Sequence, residues 1–205
     1  MTNFKIYAIS DLHSSMGKVQ FASKVIKQEK PDIVVICGDI SHSSRADRLK
    51  HVISLLDFAP IYFVLGNMDG QNINVRISNA FNLHLKCKNL FGYYFCGFGG
   101  PSDILNEVLP RAPQIVSGLD PNKIILITHV PPRNHCDRVY SGKNVGNTNL
   151  RKFIVNLQPR MLLCGHIHED RGISKLGNTT IINVGAKGCI IQIDEDDIIK
   201  YRLIS

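Results

Sequence analysis

Residues 33–39 read Ile33-Val34-Val35-Ile36-Cys37-Gly38-Asp39, an apolar run that stops on a glycine and then offers a carboxylate. The same construction recurs on either side. Ile6–Ile9 leads into Ser10, Asp11, Leu12 and His13, and Ile61–Leu65 leads into Gly66 and Asn67. Ile124–Ile127 leads into Thr128 and His129, and Met161–Cys164 leads into Gly165, His166, Ile167 and His168. The runs are rich in Ile and Val and almost continuous, the pattern of strands covered on both faces. Between them lie helical stripes. Val19, Ala22, Val25 and Ile26 are stopped by Pro31; Leu49, Val52, Ile53 and Leu56 by Pro60; Leu150, Phe153, Ile154 and Leu157 by Pro159. The third stripe follows the capping residues Asn147, Thr148 and Asn149. Strand alternating with helix predicts parallel pairing. Leu83–Phe98 and Gly172–Leu203 read as strands punctuated by Gly and Asn, so the expectation is mixed sheet, helices outside, and a strand-rich final third.

The 205 residues suit one domain spanning 1–205, long enough to bury a core without disulfides. No apolar run approaches the ~18 residues of a membrane span, and Met1–Ser10 lacks the pattern of a signal peptide. The expected compartment is the cytoplasm, with no membrane partner. The six cysteines contain no C-x-x-C pair and read as reduced thiols, Cys37 and Cys164 inside apolar runs. The formal charge of +7 favours anionic partners, but no basic stripe with interleaved aromatics is present. The acidic run Asp194–Asp197, set between apolar stretches, reads as a solvated hairpin turn.

Open α/β folds place their chemistry at strand C-termini. Here the strand ends present Asp11, His13, Asp39, Asn67, His129, His166 and His168. In extended chain Asp11 and His13 point the same way, as do His166 and His168, so each pair can face one ion. Gly38 and Gly66 let the chain turn and bring the next side chain inward. Each fragment is weak alone; together they read as a metal site. Carboxylates mixed with imidazoles suit Mn, Fe, Zn, Ni or Co better than Mg or Ca. Two such ions, with manganese the leading expectation, would ionise a shared water near neutral pH.

The order D-x-H, G-D, G-N-x-D, T-H, G-H-x-H resembles the calcineurin-like metallophosphoesterase superfamily over nearly the whole chain. The stretch from His129 to Gly188 looks like its branch of predicted prokaryotic phosphoesterases. The resemblance implies an α/β fold of four αββα layers, two mixed β-sheets flanked by helices. It implies that Asp11, His13 and His168 hold one metal, that Asn67, His129 and His166 hold the other, and that Asp39 bridges them. It implies a phosphoric ester hydrolase working through a metal-bound hydroxide, with no protein nucleophile. Ser10 and Ser14, beside the first motif, read as structural or as supports for ligands.

The sequence departs from the family at Met68, where the usual third motif carries a histidine that contacts phosphate and can protonate the leaving group. A thioether donates no proton, and losing general-acid help costs ~10²–10⁴-fold. Phosphodiesters and esters with good leaving groups are therefore the expected substrates, as small phosphorylated molecules. The plain reading of His135 is an exposed loop residue; the functional one is a replacement acid. Arg133 and Arg138, in the same long loop, read either as surface charge or as a clamp on phosphate, with Asn67 also touching substrate. Asn144, between Gly142 and Gly146, reads as part of a plain turn. His42 reads as a surface histidine, with reach to the mouth of the site as the alternative, and Asn183 as structural. Two alternatives stand beside the enzyme: a scaffold that has lost catalysis, and a nuclease, which a short chain without a DNA-binding extension disfavours. Oligomeric state is left open.

Overall fold

The computed structural model describes residues 3–70 and 77–205. In chain order the strands are β1 (Phe4–Ile9), β2 (Ile33–Cys37), β3 (Ile61–Val64), β4 (Ala80–Asn82), β5 (Lys86–Leu90), β6 (Tyr93–Phe98), β7 (Ile124–Thr128), β8 (Met161–Cys164), β9 (Gly172–Leu176), β10 (Thr179–Asn183), β11 (Cys189–Ile193) and β12 (Ile199–Leu203). The helices are α1 (Met16–Glu29), α2 (Ala46–Ser54), α3 (Ser102–Val108), α4 (Ala112–Ile115) and α5 (Thr148–Leu157). The strands form two six-stranded mixed sheets, ordered β12-β11-β1-β2-β3-β4 and β5-β6-β7-β8-β10-β9. β1, β2, β3 and β4 run parallel, as do β6, β7, β8 and β10; β11, β12, β5 and β9 pair antiparallel at the flanks.

Side-chain alternation explains why the apolar runs are unbroken. Along β1, Ile6 and Ala8 face the other sheet, where they meet a layer containing Ile127, Leu163 and Ile182. Tyr7 and Ile9 face outward onto α1 and α2, against Val19, Ala22 and Ile53. On the second sheet Leu126, Leu162 and Cys164 face outward onto Leu105 of α3 and Leu150 and Ile154 of α5. Every strand residue of β2, β3, β7 and β8 is buried. Each fully buried Ile or Leu contributes about 1.5–3 kcal/mol, so the layer between the sheets and the two layers under the helices all contribute to cohesion. The result is four layers, helix, sheet, sheet, helix.

The three helical stripes lie within or beside α1, α2 and α5. Asn147 caps α5, its Oδ1 accepting from Leu150 N–H at 2.8 Å. The acidic run is the β11–β12 turn: Asp194 Oδ1 accepts from the Asp196 and Ile198 amides. Asp197 then reaches the second sheet, accepting from Tyr93 Oη at 2.9 Å and from Lys123. Two features were not legible. The helical segment from Ser102 to Ile115 is short and interrupted by Pro110 and Pro113, so it carries no long stripe. And the expectation of six reduced thiols fails at Cys87 and Cys96, which form a disulfide. They lie directly opposite each other on antiparallel β5 and β6, a pairing visible only once the register is known. Cys37, Cys136, Cys164 and Cys189 are free and buried.

Denatured without reductant, the protein should therefore titrate four thiols, and six after reduction. Reduction should lower stability by about 2–3 kcal/mol on the chain-entropy account, read as an earlier denaturation midpoint that a Cys87→Ser/Cys96→Ser variant shows without reductant.

Candidate metal centre

The C-terminal ends of β1, β2, β3, β7 and β8 open into loops that carry the seven candidate ligands. These loops are sharply turned rather than extended. Asp11 (φ 58°), His13 (φ 51°), Asp39 (φ 50°) and His166 (φ 72°) all adopt the left-handed region. For a residue with a Cβ this costs ~1–2 kcal/mol, a strain that collects at functional sites. Asp11 and His13 thus converge through a turn, not through strand alternation. The glycines act differently from each other. Gly38 has φ +84°, which the turn requires, and a Cβ there would also meet His129 Nδ1 and the Gly66 backbone, whereas Gly66 is needed for close approach alone, since a Cβ there would collide with the Asp39 carboxylate.

Two groups of ligand atoms result, each within 4.8 Å: Asp11 with His13 and His168, and Asp11 with Asp39 and His129. His13 Nε2 and His168 Nε2 lie 3.4 Å apart, and His168 Nε2 lies 3.3 Å from Asp11 Oδ1. Around His129 Nε2 gather Asn67 Oδ1 at 2.8 Å, His166 Nδ1 at 3.2 Å and Asp39 Oδ2 at 3.4 Å. The other His129 nitrogen, Nδ1, lies 2.9 Å from the Cys37 carbonyl. That contact fixes a proton on Nδ1 and leaves the Nε2 lone pair facing the cluster, as a metal ligand requires. His13 Nδ1 is buried and has no hydrogen-bond partner among the described residues, 3.8 Å from Asp39 Oδ2. Nitrogen lone pairs set against one another beside two carboxylates, with one ring nitrogen orphaned, form a donor set that fits divalent cations.

The electrostatics point the same way. Burial alone would raise the Asp11 carboxyl, but hydrogen bonds from His168 and Ser10 and the neighbouring imidazole charges outweigh it and hold the group at about 2. Asp39 is likewise lowered: burial is overcome by His129 and by the Met68 amide, which donates to Oδ1 at 2.7 Å. His168 is raised by its hydrogen bond to Asp11, and His129 is raised by Asp39 in spite of its burial. Burial lowers His13 and His166.

Several residues outside the candidate ligand set support it. Asp69 accepts from the amides of Ile40, Ser41 and Gly66 at 3.2, 2.8 and 3.0 Å and from Ser41 Oγ at 3.0 Å. It thereby ties the Asp39 loop to the Asn67 loop. Ser10 Oγ donates to Asp11 Oδ2 at 2.5 Å. Lys18 Nζ donates to the Asp11 carbonyl at 2.7 Å. His42, read as a surface histidine, is exposed but sits edge-on to His13, with ring centroids 5.8 Å apart. Asn183 Nδ2 reaches the carbonyls of Ile167 at 2.7 Å, Asp170 at 3.3 Å and Cys136 at 3.5 Å, joining the long loop to the His166–His168 loop.

The remaining candidates lie in the long loop. His135 is half-buried, with Nδ1 3.3 Å from Ser174 Oγ of β9; burial and Arg151 lower it. Its partner is thus Ser174 rather than any of the seven. Arg133 and Arg138 are exposed, and Arg138 donates its backbone N–H to Asp170 Oδ2 at 2.8 Å. Around Asn144 the loop forms a turn closed by Val139 N–H to Lys143 O at 3.0 Å.

The family model for calcineurin-like phosphoesterases matches residues 4–170. The chain belongs to that family. It is 32% identical over 204 residues to an uncharacterized protein of Methanocaldococcus jannaschii, covering 91% of this chain and 90% of that one. Among solved structures, GAP50, described as the anchor in the inner membrane complex of Plasmodium, superposes with a TM-score of 0.72 at 12% identity, covering 100% of this chain and 85% of that one. An archaeal phosphodiesterase superposes with a TM-score of 0.52 at 16% identity, over 98% of this chain and 99% of that one. These two likenesses are likenesses of fold. Within this calcineurin-like phosphoesterase the cluster described above is the candidate metal site. No helix among the described residues is long and apolar enough to cross a membrane.

Two outcomes follow. Asp69→Asn turns an amide N–H toward backbone N–H groups, and should weaken metal binding about 10–100-fold, as loss of a ligand-orienting contact does, measured by metal titration with far-UV dichroism as the folding control. Metals bind neutral imidazole, and His129 and His168 are raised above 6.5. Metal affinity should therefore begin to fall with pH while still above 6.5, and binding at pH 7 should release protons. Calorimetry in buffers of different ionisation enthalpy reads this directly; zero release at pH 7 counts against the site.

Proposed function

We propose that this chain acts, as a single domain over residues 1–205, as a dinuclear metal-dependent phosphoesterase on small phosphodiesters or esters with good leaving groups. The observation that carries it is the pair of ligand groups sharing the buried Asp11 carboxylate at strand ends of both sheets. Asp11, His13 and His168 would hold one cation and Asn67, His129 and His166 the other, with Asp39 between them. Bound there, two divalent ions, manganese first, supply Lewis acidity and a water acidified toward neutral pH.

The chain's own residues do the rest. Asp11 and Asp39 are held below the usual carboxylate range and so offer negative charge near neutral pH. The Cys37 carbonyl holds the His129 ring in one tautomer. Asn67 is exposed, so its amide can serve both the cluster and a phosphate oxygen. Met68, half-buried, donates through its backbone to Asp39 and has no side-chain proton to give a leaving group. That absence is why esters whose leaving groups depart as stable anions are the proposed substrates. His135 is the proposed replacement acid, and Arg133 and Arg138 the proposed phosphate contacts. The archaeal phosphodiesterase, of the same fold, is in keeping with diester chemistry.

The decisive assay is manganese-dependent hydrolysis of bis-p-nitrophenyl phosphate after chelation, against Asp39→Asn. Turnover should be metal-dependent and vanish in the variant; equal rates in both would leave a scaffold. Met68→His should raise turnover of alkyl monoesters, within the ~10²–10⁴-fold range of general-acid help, and leave aryl diesters nearly unchanged. His135→Ala should slow poor leaving groups most; an equal loss on every substrate removes His135 from the role of acid.

A further inference from the structure

Lys18 stands where a lysine is electrostatically out of place. It is the third residue of α1, at the end of the helix whose exposed N–H groups carry partial positive charge and favour acids. No acidic residue occupies that first turn. The half-buried Lys18 side chain folds back toward the cluster, and Nζ donates to the Asp11 carbonyl at 2.7 Å. Its charge acts on both His13 and His168. An ammonium has three N–H donors; among the described residues the other two find no protein acceptor. The Asp11 and Asp39 carboxylates of the cluster are themselves engaged by imidazoles. Lys18 is therefore a cation held in place by a carbonyl, beside a helix terminus that repels it and beside a site suited to two further cations. With two divalent cations bound, whose charge exceeds that of the Asp11 and Asp39 carboxylates, such an arrangement favours the entry of an anion.

We propose that Lys18 is a substrate-phosphate contact: its ammonium, anchored on the Asp11 carbonyl, donates to a non-bridging phosphoryl oxygen of the ester on the His13–His168 side of the site. The inference rests on the phosphoesterase reading and assigns the residue that reads the anion in it. A lysine serves as a point charge toward phosphate, and fixing Nζ beforehand removes part of the ordering cost of binding. The contact is made equally by an ester and by free phosphate, so binding can be measured without turnover.

The test compares wild type, Lys18→Gln and Lys18→Arg, each loaded with manganese. Gln keeps a donor for the Asp11 carbonyl but removes the charge; Arg keeps both. Metal content is read by elemental analysis after gel filtration, and inorganic phosphate binding by calorimetry. Lys18→Gln should keep the wild-type metal content and bind phosphate about tenfold more weakly, the scale of one charge-assisted hydrogen bond. The salt dependence of phosphate binding should be shallower in that variant. Its KM for bis-p-nitrophenyl phosphate should rise more than its kcat falls, and Lys18→Arg should restore both. Phosphate binding unchanged in Lys18→Gln overturns the inference. Loss of metal in parallel with phosphate also overturns it, by reducing Lys18 to a support for Asp11. A wild type that takes up metal and phosphate yet hydrolyses nothing overturns the phosphoesterase reading alone, and one that takes up no metal overturns both.

Discussion

Two carboxylates, Asp11 and Asp39, are buried at the centre of this protein, each about 2% exposed, and much of the rest is arranged to keep them charged there. Burying a carboxylate without compensation is costly enough that the group normally takes up a proton instead. Here imidazoles from two other strand ends, those of β7 and β8, the Ser10 hydroxyl and the Met68 amide supply the compensation. The left-handed backbone at Asp11, His13, Asp39 and His166 adds strain on top. Strain and buried charge in one place are tolerated because rigid parallel strands hold the loops from beneath.

The two sheets contribute unequally. Asp11, Asp39 and Asn67 follow β1, β2 and β3 of one sheet, whereas His129 and His166 follow β7 and β8 of the other. The cluster therefore exists only if the sheets stack in register, so the apolar layer between them is part of the site's construction. Asp69 fastens two loops of the first sheet to each other. Asn183, at the end of β10, fastens the long loop to the His166–His168 turn. Asp137, buried, closes the long loop from inside by accepting from the amides of Asn134 and Gly146 at 3.0 and 2.7 Å. A loop of that length is thereby held as a defined surface next to the cluster.

The fold by itself is compatible with different uses, since sites rather than folds carry function. An anchor of the Plasmodium inner membrane complex and an archaeal phosphodiesterase both share it. The local features of this chain's site are a cluster of donor side chains, a thioether at Met68, and the Lys18 ammonium held on the Asp11 carbonyl. The first favours cations, the second removes one proton donor, and the third favours an anion.

The apolar runs ending in Gly38-Asp39 and Gly165-His166 determined strand identity, because continuous Ile and Val in short runs leave few alternatives to doubly covered strands. The ligand-type residues were legible for the same reason: they stand at strand ends in a fixed order. Which strands share a sheet was not legible from the runs themselves, since β7 and β2 have the same character; only the resemblance supplied two sheets. The Cys87–Cys96 bond, the short proline-broken helices and the contacts of Asp69 also lay beyond the sequence. Each depends on register or on a turn that brings distant residues together, and neither leaves a periodic signal. Sequence by itself determined most of the elements and the residue types at their ends; tertiary structure alone decided which ends meet, because convergence is set by sheet stacking and left-handed turns rather than by spacing along the chain.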